Sequence, residues 1–153
     1  MTAPTIPSPG DLARRAPAPR PAPAAPTPET AAASMIEPGE LRKGDNFRVL
    51  FQQGMRISQM LPHSRLVGLT LSGFANWRTG LVMRHEPTPE RLSSATGLTE
   101  AQVLVQLQIL TQRGWLTRRR LTTGPRNGQL VFQLCIPRVV LEQLRNRQPG
   151  QFI

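Results

Sequence analysis

The sequence predicts a mainly α-helical domain carrying one small β-hairpin, preceded by a disordered proline- and alanine-rich arm. Three observations predict it. Apolar residues recur at helical spacing in successive segments from Phe47 to Leu144. An apolar strand-like run follows a basic strand-like stretch near the C-terminus, the two joined by a turn-rich connection. Ten of the sixteen prolines fall within residues 1–40.

Those first forty residues, as in "RRAPAPRPAPAAPTPETAAA", offer little to bury and remove many backbone donors. They read as an extended arm, with spacer or partner docking as functional alternatives. Residues 41–61 read as a helical extension. Asp45 is a candidate cap for a short helix with Phe47, Leu50 and Phe51 on one face, and Gly54 is its expected end. A second helix is expected from Ser64 to about Trp77, its broad apolar surface supplied by Leu66, Val67, Leu69, Leu71, Phe74 and Trp77. "RTGLVMRHE" supplies a turn and a short strand.

The next stretch carries the clearest boundary signals. Thr88 caps a helix with Pro89 at its first position, where the missing N–H costs nothing. Leu92 and Ala95 face inward, and Gly97 sits where a left-handed residue is wanted. Thr99 then caps the following helix, with Gln102 completing a capping box. Val103, Leu107 and Leu110 form its core stripe, and Gly114 stops it. Two strands follow, at about 115–121 and 129–136, joined by "TGPRNG". Alternation puts Leu130, Phe132, Leu134 and Ile136 on one face. Pro137 closes the strand. Residues 138–153 form a last short helix with Val140, Leu141 and Leu144 apolar, and then a polar tail. Helix, helix-turn-helix and hairpin in this order make a winged helix over residues 62–137.

The segment "LPHSRLVGLTLSGFANWRTG…PTPERLSSATGLTEAQVLVQLQILTQRGWL" resembles the winged helix-turn-helix domains of bacterial, phage and plasmid regulators and replication-initiation proteins. The resemblance covers roughly residues 60–137. It implies that the helix at residues 99–113 enters the major groove and that the hairpin at 116–136 contacts phosphates or the minor groove. Such relatives commonly carry arginine or another polar residue at the position of Val105.

Charge favours a polyanion or an acidic partner, with a solvated surface or an arginine-biased composition as the alternative. The chain has 19 basic and 9 acidic residues, a formal net charge of +10. Residues 1–40 hold three arginines against four acids, so the rest of the chain carries all of the excess. Arg118, Arg119 and Arg120 alternate across a strand, with Arg113 and Arg126 nearby in the pattern. Together they are candidates for phosphate contacts, which supply affinity without sequence information; the alternative is a solvated, aggregation-resistant edge strand. The outward face of the 99–113 helix offers Glu100, Ala101, Gln102, Val105, Gln108, Ile109 and Gln112, with no positive charge. Gln102, Gln108 and Gln112 are candidate base readers, the first two by bidentate contact to adenine.

A reading from another class is a protein–protein adaptor, in which Val105 and Ile109, flanked by Leu104, pack against a second copy or a partner protein. A third is that the Phe47–Phe51 helix or the C-terminal helix covers this stripe within the chain. Catalysis has little support: His63 and His85 lie near element boundaries without a clear nucleophile or carboxylate constellation, His63, His85 and Cys135 lack metal-ligand spacing, and no P-loop or dinucleotide glycine pattern is present. Trp77 and Trp115 are expected core anchors. Cys135 is expected to be a buried small hydrophobe, and the chain to be a cytoplasmic protein without a membrane span. The function expected is duplex-DNA binding in transcription regulation or in phage or plasmid DNA maintenance, with a homodimer as a plausible form.

Overall fold

The computed structural model describes residue 33, residues 35–82 and residues 86–147. The expectations for residues 1–32, for His85 and for the tail beyond residue 147 lie outside these. The order is α1 (Phe47–Ile57), α2 (Pro62–Phe74), α3 (Pro89–Thr96), α4 (Glu100–Gln112), β1 (Leu116–Arg120), β2 (Leu130–Leu134) and α5 (Arg138–Asn146). The described part is therefore mainly helical with a two-stranded antiparallel hairpin, as the periodicities predict.

The α1 boundary differs from expectation at both ends. Asn46 is the N-cap, its side chain accepting from the Val49 N–H. Asp45 instead accepts from the Arg42 N–H at 2.8 Å and from Arg145 at 3.0 Å. The Arg42 N–H is the main cause holding its carboxyl below the usual carboxylate range; burial opposes this and Arg145 adds to it. Gly54 does not end the helix. It lies buried within it, where a Cβ would stand 3.0 Å from the Trp115 ring and 3.2 Å from Val140. Its role is not to stop α1 but to let the helix pack closely against the hairpin base and α5.

Helix α2 is shorter than its apolar run. It ends at Phe74, and Trp77 beyond it is 51% exposed, with Arg78 stacked 5.2 Å from its ring centroid. Trp77 is thus no core anchor, and Leu66 and Leu69 are exposed on the outer side of α2. The inner side presents Ser64, Val67, Gly68, Leu71 and Ser72. Apolar character without a single stripe does not say which side is core. Ala95, expected to face inward, is exposed on α3, where Leu92 alone is buried.

One core joins the elements: Phe47, Phe51 and Met55 of α1, Val67 and Leu71 of α2, Leu92, Val103, Leu110, Trp115, Leu116, Leu134, Ile136 and Leu141. Phe51 stands edge-on to Trp115 at 5.5 Å between centroids. Inside this core Ser64 donates to Gln106 at 2.6 Å, a buried polar pair linking α2 to α4. Gln106 sits one turn from both Val103 and Leu110, so helical spacing marks it as a core position despite its polarity.

The predicted strand in "RTGLVM" is reduced to a single bridge, Leu81 to Gln133, with Val82 donating to Phe132 O and Leu134 donating to Gly80 O. On β2 the expected alternation fails at one end: Leu130 is 49% exposed, whereas Val131 is buried. The strand has two partly covered faces rather than one. Residues from the end of the expected arm also join the domain. Gly39 donates to Ile136 O, Arg138 donates to Glu37 O, and Pro38 bridges Pro137. Gly114 makes room for this segment: at φ 75° and against the Ile36 carbonyl, it has no space for a Cβ. No helix among the described residues is long and apolar enough to cross a membrane.

Candidate functional site

Helices α3 and α4 present the predicted pair of caps. Thr88 accepts from Arg91 N, Gly97 takes φ 73° at the end of α3, and the Thr99–Gln102 capping box opens α4. The box has a consequence for base reading. Gln102 Oε1 accepts from Thr99 N at 2.9 Å while Gln102 N donates to Thr99 Oγ1. A bidentate adenine contact needs the amide oxygen and nitrogen together, so Gln102 can make one only by breaking its cap. Gln102 is a structural residue first. Replacing it by alanine is expected to cost about 0.5–1 kcal/mol of stability in urea denaturation and to leave duplex affinity unchanged. A selective loss of affinity for adenine-containing sites would restore it as a reader.

Stepping 100° per residue around α4, the buried Val103, Gln106 and Leu110 define the inner side. The outward side is centred on Ala101, Leu104, Val105, Gln108 and Gln112, all exposed. It is apolar and amide-bearing, without a charge. Leu104 and Val105 are 53% and 52% exposed, one on each flank of this face. Ile109 is not its partner. It is half-buried on one side of α4, in a groove shared with Ile57 and Met60 at the end of α1 and with Val139 and Val140 of α5. The coverage by N- and C-terminal helices that the sequence leaves open thus applies to Ile109 and not to Val105.

The hairpin arginines separate as a strand requires. Arg118 pairs with Phe132, Arg119 with Val131 and Arg120 with Leu130 across the hairpin. The Arg118 guanidinium lies over the Phe132 ring at 4.5 Å and 3.9 Å from a Glu86 carboxylate oxygen. Arg119 and Arg120 are exposed and make no ion pair among the described residues. Arg126 is exposed in the connection, where its carbonyl accepts from Gln129 N. Arg113 does not join them. It caps α4 and lines the α1–α4–α5 groove at the base of the hairpin, while β1 carries the chain away at about 3.4 Å per residue.

Glu86 and Phe132 belong to the site although sequence reasoning does not point to them. Glu86 is far from Arg118 in sequence, and nothing local signals the pair. Phe132 has the alternation of a core residue, yet it is a partly buried platform whose ring carries Arg118. Cys135 is buried as expected, and burial pushes its thiol up to about 11, so it is a poor nucleophile. His63 is exposed, and the described residues hold no cluster of three or more metal-ligating side chains. No protein-family model, curated protein or solved structure matches the chain.

Proposed function

We propose that the helix pair and hairpin form a winged helix that binds duplex DNA through the wing, in transcription regulation or in phage or plasmid DNA maintenance. The observation that carries this reading is that Arg119 and Arg120 are both exposed, one on each face of β1, and without an ion pair among the described residues. A guanidinium in that state pays little to exchange water for a phosphate oxygen, and release of counterions favours the exchange. The uncharged outward face of α4 supplies no arginine contact to guanine. Binding is therefore anchored on the backbone, with sequence preference drawn from Gln108, Gln112 and DNA shape.

The test is a salt series on labelled random duplex. Submicromolar binding at low salt, weakening steeply as salt rises, is expected; no binding even at low salt overturns the reading. Glu86 adds a second check. Glu86→Gln removes the carboxylate that faces Arg118, so duplex affinity should rise by about two- to threefold with a steeper salt dependence. Unchanged affinity would take Arg118 out of the interface.

A second reading is a protein–protein adaptor, favoured by one observation: Leu104 and Val105 are both more than half exposed on the same face of α4. Leu104→Arg with Val105→Arg distinguishes the two. A DNA-binding protein keeps or gains duplex affinity in this variant; an adaptor loses its self-association or partner capture while its affinity for duplex stays negligible.

A further inference from the structure

The open edge of β1 plays no part in either reading. Cys135 N donates to Trp115 O and Leu121 N donates to Gln129 O, both at 2.9 Å. With the register Arg118 to Phe132, this makes the odd-numbered residues of β1 the ones that bond β2. The N–H and C=O of Arg118 and Arg120 therefore point the other way. On the far side of β2, Phe132 O accepts from Val82 N and Leu134 N donates to Gly80 O. Along β1, no described residue takes those of Arg118 or Arg120.

An unpaired edge is a template for another strand, and its side chains decide which strand. Antiparallel pairing of two copies of this edge would set arginine against arginine, which disfavours a second copy of the chain. Carboxylates at alternate positions of an added strand would meet Arg118 and Arg120, which share one face. Beside the edge lies a groove of about 470 Å³ with Leu41, Phe47, Thr117 and the three arginines in its lining, which adds an apolar wall to the charged one.

We propose that the edge of β1 at Arg118–Arg120 is a β-augmentation site for an extended segment of a partner protein in which acidic and apolar residues alternate. The backbone groups of Arg118 and Arg120 hydrogen-bond the added strand, the side chains of Arg118 and Arg120, which share a face, take its carboxylates, and its apolar side chains fall on the opposite face, where Thr117 and Arg119 help to line the groove. The site does not depend on the DNA reading, but it uses the same arginines, so peptide and duplex exclude one another.

The test is amide NMR on the full chain, titrated with the peptide acetyl-EVEVEVE-amide. Saturable shifts at Arg118 and Arg120, with slowed hydrogen exchange of both amides, are expected, and acetyl-KVKVKVK-amide should produce neither. N-methylation of the acidic peptide at the residues facing the edge removes two hydrogen bonds and should weaken binding about tenfold. Equal binding of the methylated peptide reduces the contact to charge attraction and overturns the inference, as does the absence of shifts. Protection of the same amides that grows with protein concentration, without peptide, would assign the edge to a second copy instead. Loss of duplex binding in the salt series would leave all these outcomes readable.

Discussion

Replacing Arg118, Arg119 and Arg120 together by alanine should lower affinity for every duplex sequence alike, on the order of 100-fold at moderate salt. The slope of log affinity against log salt should become shallower by about 2 to 3, one counterion for each phosphate that the variant no longer neutralises. The two readouts separate mechanisms. A fall in affinity with an unchanged slope would mean that the wing was damaged rather than discharged. An unchanged affinity would remove the wing from DNA binding. The effect should be largest for Arg119 and Arg120, because Arg118 is already engaged with Phe132 and Glu86. All three side chains are exposed, so the folded domain should survive their removal, and thermal unfolding of the triple variant should stay close to that of the parent.

Phe51→Ala should destabilise the domain by about 3–5 kcal/mol in urea denaturation. Phe51 is fully buried, tilted against Phe47 at 5.5 Å and edge-on to Trp115 at the same distance. Its removal empties the point where α1 meets the start of the hairpin. Total stabilities of small domains are of the order of 5–15 kcal/mol, so this one change removes a large share. Phe51→Leu keeps most of the volume and should cost markedly less. A destabilisation below about 1 kcal/mol for the alanine variant would mean that α1 is not part of the cooperative core.

The elements behind these predictions differ in how visible they are in the sequence. Helices α3 and α4 are legible to within a residue, because capping is local chemistry: Thr88, Pro89, Gly97, Thr99 and Gln102 act on backbone groups within four residues of themselves. The hairpin is legible from alternation and turn residues. Gly54 is not, because a glycine that permits close packing and a glycine that ends a helix look the same until the neighbour is known. Trp77 misleads because size and apolarity do not reveal whether anything lies above the ring. Arg113 and Ile109 mislead for a related reason: helical angle tells which residues share a side, and not which other element covers that side.

The sequence by itself determined the element order, the caps, the concentration of positive charge beyond residue 40 and the absence of a cation on the outward face of α4. Each depends on spacing of a few residues or on composition. The tertiary structure alone decided that Glu86 meets Arg118, that Ser64 meets Gln106, that Glu37–Gly39 joins the domain and that no other described strand pairs the outer edge of β1. These are encounters between distant segments, set by packing of the whole core, and no local pattern in the chain encodes them.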